Sequence, residues 1–462
     1  MTTNLRETYQ ETLNKLNAFQ LALTTVSYDD QTIAPKDGRD YRGTMLSILS
    51  GEYFEILQSE SFFTILENLD KTPDLDEITA ASVRYFLKEI KKTKNVPLKE
   101  YIDFNKLMSD SNNIWEESRS SNDFARFEPM LQKVIDALKK MISYRNDGLS
   151  LYDSLLDDYE EGLTTEKVNE FFAVLQERLV PFLKRITALN RTKPAFLSRE
   201  ITDEKQQQIT DLLLRYLNFE SRFGQQSLSE HPFSTNMSIN DVRVTTHFYP
   251  KNFTSNIFSI IHEVGHATYN HQVNPAFEGT PLANNMSYSM HESQSRLMEN
   301  MLGRTPSFWY SLYPQLVTII PEILGDVSFD DFIFGINYVE PSLIRTEADE
   351  LTYPLHILIR YNLEQKIFAS TDPVSDLNTL WADEYEAILG VRPDREKEGI
   401  LQDVHWSQAS FGYFPTYALG SAYAAQFMET MRDQIDVNGL LKSGDFKQIT
   451  EWLRFNIHQY SG

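Results

Sequence analysis

The stretch His262-Glu263-Val264-Gly265-His266, HEVGH in one-letter code, is the one that decides the predicted fold of this chain. It fits the pattern H-E-x-x-H, in which two histidines four residues apart lie on one face of a helix. On an ideal helix they differ by about 40° in azimuth and about 6 Å in rise, so their imidazoles can converge on one metal ion. The glutamate between them can accept a proton from a water that the metal activates. The pentapeptide therefore predicts a helix that carries two metal ligands and a general base.

The residues before the pentapeptide predict a strand that leads into this helix. Residues 242–249 (VRVTTHFY) are β-branched and aromatic, and a proline ends the run. Ser255 is a candidate N-cap for a helix that begins at the next residue. We expect one face of that helix to be buried, because it carries Ile257, Ile261 and Val264.

A third metal ligand must come from another element, because a catalytic zinc site has three protein ligands and a water. Residues 290–300 (MHESQSRLMEN) predict a second helix, and the prolines and glycine in 267–289 suit a connecting loop. Glu292 is the predicted third ligand. His291 points about 100° away from it on a helix, so the two cannot easily serve together. Zn²⁺ is the predicted metal, although Co²⁺ or Mn²⁺ could occupy the same ligands.

Composition narrows the class of protein. The 462 residues are 41% hydrophobic, enough for a large core in one large domain or a few lobes. The absence of cysteine excludes a disulfide framework, a thiolate metal site and a cysteine nucleophile. A net charge of −23 repels phosphate, so no nucleic-acid partner is expected. No membrane span or signal peptide is expected either, because the apolar runs are too short, and a cytoplasmic location is predicted.

The first 230 residues predict mainly helices. Helical apolar spacing occurs in 5–23, 127–142, 164–190 and 201–223. Thr165 and Thr202 are the predicted N-caps of the last two helices. Short breaks separate the helices, and each contains a proline: Pro35, Pro73, Pro97 and Pro194.

With these residues assembled, the chain resembles the carboxypeptidase Taq family of zinc metallocarboxypeptidases. Further motifs of that family follow in order around the pentapeptide: HPF at 231–233, DxRxT at 241–245, HESQ at 291–294, IRxxAD at 344–349 and GxxQDxHW at 399–406. Residues 25–32 (TVSYDDQT) are similar to another family segment. Each motif alone is weak, whereas the ordered set is highly specific.

Three residues depart from the family pattern. Tyr28 stands where tryptophan is usual, His247 where arginine is frequent, and Met298 where an aromatic residue is common. Substrate preference and local packing depend on such positions. The predicted metal ligands are unaffected.

The resemblance implies a mainly α, elongated helical gluzincin fold, similar to neurolysin and angiotensin-converting enzyme. It has a deep central groove and a small β-sheet beside the metal helix. We expect a single domain over 1–462, with an N-terminal helical lobe over about 1–230 and a metal- and substrate-binding lobe over about 231–462. The resemblance also implies a homodimer that removes single residues from the free C-termini of peptides, with broad specificity.

The resemblance assigns roles to residues around the metal. His262, His266 and Glu292 would hold the zinc, and Glu263 would act as general base and then as acid. Tyr417 is favoured over Tyr413 as the donor to the oxyanion, by analogy with related gluzincins. His405 could bind the substrate backbone or the oxyanion. Three residues are left open as partners that orient a ligand histidine: Glu299, Asp403 and Gln402.

Recognition of a free C-terminus needs a cation, and the planar fork of arginine suits a carboxylate. Arg345 matches the family arginine for that task, and its alternative role is an ion pair with Asp349 on a helix. Arg243 is the second candidate, although it could instead brace the metal helix through Asp241. Tyr413 is a further candidate for substrate binding.

Two alternatives stay open beside the carboxypeptidase. The same metal core could belong to an oligopeptidase or a dipeptidyl carboxypeptidase. A non-catalytic helical scaffold could also have kept the motif by descent. Cleavage of a C-terminally amidated peptide distinguishes the first alternative, and metal analysis with a peptidase assay distinguishes the second.

Overall fold

The structure, a computed structural model, describes residues 2–145, 147–284, 287–372 and 374–461. Nine helices precede the first strand in the described part of the chain. Their bounds are α1 Thr2–Thr32, α2 Arg39–Leu57, α3 Glu60–Asp70, α4 Glu77–Thr93, α5 Leu98–Ser121, α6 Phe124–Ser143, α7 Leu151–Tyr159, α8 Thr165–Thr187 and α9 Asp203–Tyr216.

The four helices predicted from apolar spacing are confirmed as α1, α6, α8 and α9. Thr202 is confirmed as the N-cap of α9, because its side chain accepts a hydrogen bond from the Lys205 amide. The predicted cap Thr165 is wrong by one residue. Thr164 caps α8 instead, and the Thr165 hydroxyl donates to Asp153. Two adjacent threonines offer the same capping chemistry, so sequence alone could not choose between them.

The sheet has three strands: β1 Gly224–Leu228, β2 Ser234–Ser238 and β3 Asp241–Thr246. The central strand β3 pairs in parallel with β1 and antiparallel with β2. Val242 and Val244 are fully buried on one face, as expected for a strand that packs on a helix. The predicted strand 242–249 thus ends three residues earlier. The polar strands β1 and β2 lack an apolar alternation, so no pattern predicted them.

The predicted metal helix is α10, Phe253–Gln272, and the second helix is α11, Tyr288–Arg296, continued by a π-helical segment Leu297–Leu302. Asn252 caps α10 and accepts from the amide of Ser255, so the predicted cap Ser255 is wrong. Gly265 explains how the two helices meet. A Cβ at this position would lie 2.7 Å from both the carbonyl oxygen of Gln294 and the Cα of Ser295. Only glycine allows this approach, which brings the histidines of α10 to Glu292 on α11.

Among the residues that the structure describes, nine further helices follow: α12 Pro306–Trp309, α13 Tyr313–Ile319, α14 Pro321–Leu324, α15 Phe329–Ile336, α16 Tyr353–Ala369, α17 Leu377–Leu389, α18 Pro415–Gln434, α19 Val437–Ser443 and α20 Phe446–Asn456. Helix α18 packs along α11. A Cβ on Gly420 of α18 would lie 2.8 Å from the Cβ of Glu292. The glycine therefore allows α18 to pack directly against the side chain of Glu292.

Two large hydrophobic cores flank α18. The first joins α9, the sheet, α10 and the helices from α12 to α15 with α19 and α20, and the second joins α6 to α8 with α16 and α17. Ala418 and Leu419 belong to the second core, whereas Met428 and Met431 belong to the first. A smaller core unites α1, α3 and α4. Because α18 spans both large cores, it fixes the side chains of one against those of the other.

A cavity of about 440 Å³ lies between the two large cores, with α8 on one side and Met301 and Arg304 on the other. Both large cores contain residues from before and after residue 230. None of the described helices has both the length and the apolar run needed to cross a bilayer. The predicted fold class, mainly α with a small sheet beside the metal helix, is confirmed.

Candidate metal centre and active site

The three predicted metal ligands lie together between α10 and α11. The Oε2 atom of Glu292 is 3.8 Å from Nε2 of His262 and 3.6 Å from Nε2 of His266. One ligand atom from each residue lies within 4.8 Å of the other two. Donors about 2.0–2.1 Å from a tetrahedral ion are about 3.4 Å apart, so the three atoms need only small shifts to bind one ion.

The charges around these histidines favour a cation. Burial alone would lower the pKa of His262, but the carboxylates of Glu292 and Glu299 raise that pKa to about 9. Burial would raise the pKa of Glu292, yet His262 and His266 hold it below its usual value. The carboxylates that favour a proton on His262 would equally stabilise a divalent ion in its place. Both the donor set and the local charge therefore fit a metal ion.

Glu299 orients the first histidine. Its Oε2 atom lies 2.9 Å from Nδ1 of His262, which leaves Nε2 facing Glu292. Burial would raise the pKa of Glu299, but Arg296 and His262 lower it well below its usual value, so this carboxylate stays ionised. Of the three residues left open by the sequence, Glu299 is the one in contact with a ligand histidine; Asp403 and Gln402 bind Arg345 instead.

Replacement of Glu299 by glutamine is expected to weaken metal binding by about 10- to 100-fold, because the amide holds the imidazole less firmly and carries no charge. Competition with a chromogenic chelator measures this affinity. Glu429→Gln is the matched control, since Glu429 pairs with Arg432 on the exposed face of α18. An unchanged affinity in Glu299→Gln would contradict the orienting role.

His266 has different surroundings. Its ring stacks on that of His291 with 4.3 Å between centroids. Nε2 of His291 lies 3.0 Å from Oδ1 of Asn270, so His291 is engaged away from Glu292. Nδ1 of His266 is buried, and within the described chain it has no hydrogen-bond partner. Ring stacking therefore orients His266, whereas the carboxylate of Glu299 orients His262.

Glu263 lies on α10 between the two histidines and is buried. Burial raises its pKa above the usual value, and the nearby imidazoles only partly oppose that shift. A buried carboxylate with a raised pKa is a stronger base than one in water. The position therefore suits proton transfer.

Three further predicted site residues, His405, Tyr413 and Tyr417, form one group, which we call the tyrosine–histidine group. Nε2 of His405 lies 3.1 Å from the hydroxyl of Tyr417, and the ring of Tyr413 is 5.0 Å from that of Tyr417. Burial, reinforced by Arg345, lowers the pKa of His405 to about 3, so its imidazole is neutral. Burial raises the pKa of Tyr417 well above its usual value. The structure thus brings these three predicted residues together as neutral hydrogen-bonding groups.

Arg345 lies on a 3₁₀ turn, Arg345–Glu347, and its guanidinium is 5.0 Å from the centroid of the Tyr417 ring. Its Nε and Nη2 atoms are each 2.9 Å from Oδ1 of Asp403, and Nη1 donates to the hydroxyl of Tyr353 at 3.3 Å. The alternative ion pair with Asp349 is wrong. The turn is not the helix that would place them together, and Asp349 accepts from backbone amides of 351 and 352.

Arg243 has a different environment from the other predicted site residues. It pairs with Asp241 through two contacts of 2.9 Å, and its guanidinium lies 5.0 Å from the centroid of the Tyr28 ring. Tyr28 also packs edge-on against Phe233. The HPF and DxRxT motifs thus meet the 25–32 segment, and Arg243 joins the sheet to α1. The tyrosine keeps the aromatic face of the usual tryptophan for this contact.

Sequence reasoning missed two buried charges on α16. Arg360 is fully buried and binds Asp403 from the side opposite Arg345. Glu364 accepts hydrogen bonds from Tyr152, the Trp406 indole and the Gly412 amide, and burial raises its pKa to about 7. Trp406 and Gly412 lie at the two ends of the segment between His405 and Tyr413, so Glu364 fixes both ends of that segment. The available signal was two ionisable residues four apart on a helix that also carries Leu355, Ile359 and Leu363.

Comparison with known proteins agrees with this site. The family model for the carboxypeptidase Taq (M32) metallopeptidases matches residues 8–462. Carboxypeptidase 1 of Bacillus subtilis (strain 168) is 38% identical over 449 residues, which cover 96% of this chain and 90% of that protein. Thermostable carboxypeptidase 1 of Thermus thermophilus is 34% identical over 470 residues, with 98% and 91% coverage.

The structural comparison gives the same answer. The crystal structure of the M32 carboxypeptidase from Deinococcus radiodurans R1 superposes with a TM-score of 0.95 at 32% identity and covers 99% of this chain and 93% of that one. The predicted resemblance is therefore confirmed along nearly the whole chain. The chain belongs to the carboxypeptidase Taq (M32) family of metallopeptidases.

Proposed function

We propose that this metallocarboxypeptidase hydrolyses the last peptide bond of its substrates at the centre formed by His262, His266 and Glu292. The observation that carries the proposal is the convergence of these three ligand atoms, with Glu263 between the histidines on the same helix. The family implies a divalent metal. Two imidazoles and one carboxylate form a donor set typical of catalytic zinc, so zinc is the proposed metal, and cobalt or manganese could replace it.

A bound divalent ion supplies Lewis acidity, which polarises the scissile carbonyl and lowers the pKa of the attacking water. Glu263 takes the proton from that water on its carboxylate. It then donates the proton to the leaving amine, so that one group serves as base and acid. Its raised pKa suits both transfers, because the carboxylate is basic enough to accept a proton and can release it again.

Tyr417 is the proposed donor to the oxyanion that develops as the carbonyl is attacked. Its hydroxyl is neutral at physiological pH and is held by His405 at 3.1 Å. Tyr413 packs edge-on against Tyr417 and is the further candidate for contact with the substrate. His405 either orients Tyr417 or donates directly to the substrate backbone.

The change Tyr417→Phe is expected to lower kcat by about 10²- to 10³-fold, because it removes one donor to the developing negative charge. KM should change little, since the ground-state carbonyl needs that donor less. Steady-state kinetics on a peptide with a free C-terminus measures both constants. Tyr460→Phe is the control, because Tyr460 is exposed near the C-terminus. Equal kcat in Tyr417→Phe and the parent would move the role to Tyr413 or His405.

Arg345 is the proposed anchor for the terminal carboxylate of the substrate. It lies beside Tyr417, with its guanidinium 5.0 Å from the tyrosine ring centroid, and so adjoins the proposed oxyanion site. Arg243 is the less favoured anchor, because its contacts with Asp241 and Tyr28 place it where the sheet meets α1 and not beside Tyr417.

The deciding experiment offers the enzyme a peptide with a free C-terminus and the same peptide with a C-terminal amide. We expect stepwise release of single amino acids from the free acid, loss of that activity with a chelator, and little hydrolysis of the amide. Efficient internal cleavage of the amide would favour the oligopeptidase alternative. Absence of both metal and turnover in a folded protein would favour the scaffold.

A homodimer, a cytoplasmic location and a single domain over 1–462 stay predictions. Light scattering coupled to size-exclusion chromatography tests the first. One cooperative unfolding transition would support the last.

A further inference from the structure

We infer that Arg360 is a positioning residue for the terminal carboxylate of the substrate. It shares Asp403 with Arg345 and so leaves the carboxylate anchor with a surplus positive charge. The inference rests on the proposed function, in which Arg345 binds that carboxylate.

Asp403 lies between the two arginines and gives one oxygen to each. Oδ1 binds Nε and Nη2 of Arg345 at 2.9 Å. Oδ2 binds Nε of Arg360 at 2.7 Å and Nη2 at 2.6 Å. Each guanidinium thus directs two nitrogens at one oxygen of a single shared carboxylate.

The charges of this cluster do not balance. Among the described residues, Asp403 is the only acidic partner of either guanidinium. The nearest histidines add no charge, because burial and the arginines lower the pKa values of His356 and His405 far below the usual range. Two cations and one anion leave about one positive charge inside the protein. Such a charge is costly unless an anion joins it.

A peptide C-terminus supplies the missing anion. When its carboxylate reaches Arg345, the cluster holds two guanidiniums and two carboxylates and becomes neutral. Without Arg360, Arg345 and Asp403 would already form a neutral pair. The incoming carboxylate would then be attracted by Arg345 and repelled by Asp403, so the two effects would largely cancel.

Arg360 acts only through Asp403. It is fully buried, and Nη1 donates to the carbonyl of His356 at 2.9 Å and to the hydroxyl of Tyr385 at 3.0 Å. Its guanidinium also lies 4.6 Å from the centroid of the Trp381 ring. These contacts fix the arginine away from the substrate, so its contribution is the charge and orientation it gives to Asp403 and Arg345.

The test measures binding without turnover, in metal-loaded protein that carries Glu263→Gln. Calorimetry gives the Kd of one peptide as its free acid and as its C-terminal amide. Adding Arg360→Met is expected to weaken binding of the acid by about 10- to 30-fold, from the loss of one charge at about 8–10 Å, and to leave the amide unchanged. Arg392→Met is the control, because it removes the same charge from an exposed arginine that pairs with Asp383 and Glu386.

Two further variants separate charge from packing. Arg360→Met with Asp403→Asn restores one surplus charge on Arg345, so preference for the acid should return in part. Arg360→Lys keeps the charge and should keep most of the preference, which also covers the case in which Arg360→Met fails to fold. The inference would be overturned if the ratio of the Kd for the acid to the Kd for the amide were the same in Arg360→Met and in the Arg392→Met control. It would also be overturned if Arg360→Lys weakened binding of the acid as much as Arg360→Met does. If the protein with Arg360 intact shows no preference for the acid, the proposed function fails instead.

Discussion

Replacing Glu263 by glutamine is expected to lower kcat by about 10³- to 10⁴-fold while metal content stays at the parent level. The side chains have almost the same size, so the packing of α10 should survive. The amide cannot accept a proton from the attacking water or carry one to the leaving amine. Release of the C-terminal amino acid measures the rate, and mass spectrometry of the metal measures occupancy.

The metal occupancy of Glu263→Gln distinguishes loss of proton transfer from loss of the metal site. If the metal is lost together with activity, Glu263 supports the site rather than the proton transfer. Glu429→Gln makes the same chemical change on an exposed face of α18 and should behave as the parent. Parent-like turnover in Glu263→Gln would refute the proposed mechanism, whatever the role of Arg345 or Tyr417.

The site was most predictable where its residues are close in sequence. His262 and His266 are fixed by one helical turn, and the third ligand is on the next helix along the chain. Gly265 and Gly420 make these contacts possible, and their role appears only in three dimensions. A glycine in a helix has several explanations from sequence, and a Cβ that would collide with a neighbouring backbone or side chain selects one of them.

Partners distant in sequence were the least predictable. The alternative role considered for Arg345 was an ion pair with Asp349 on a helix, yet its acidic partner is Asp403, 58 positions away. Local spacing cannot reveal such a pair, because it depends on how α16 and the 399–406 segment pack. The same reason hid Arg360, whose significance appears only when the carboxylate it shares is seen. The predicted cap of α10 was wrong for a different reason. Asn252 and Ser255 are both suitable N-cap residues, and the local backbone conformation selects Asn252.

Fold class was easier to predict than the packing that defines it. The apolar stripes of α6 and α8 predicted helices whose inner faces are buried, and they are. No stripe shows which helices share a core, and helices from both sides of residue 230 combine in each large core. Apolar contact is not directional, so a stripe specifies burial but no partner.

Replacing Glu292 by glutamine is expected to weaken metal binding well beyond the roughly 10- to 100-fold expected for Glu299→Gln, and to abolish turnover. The change removes the negative charge of a ligand carboxylate from a buried site, and this carboxylate is the one that faces the Nε2 atoms of both imidazoles. The chelator competition used for Glu299→Gln gives the affinity, and circular dichroism shows whether the helices are intact.

The three glutamate variants should differ in whether they lose metal binding, activity or both. Glu292→Gln should lose metal and activity, Glu299→Gln should lose metal affinity in part, and Glu263→Gln should lose activity alone. Three glutamates around one pair of histidines would then have three separate functions, as ligand, orienting group and base. If Glu292→Gln binds metal as tightly as Glu299→Gln, Glu292 is not the third ligand. His291 cannot readily replace it, because its ring is stacked on His266 and its Nε2 contacts Asn270.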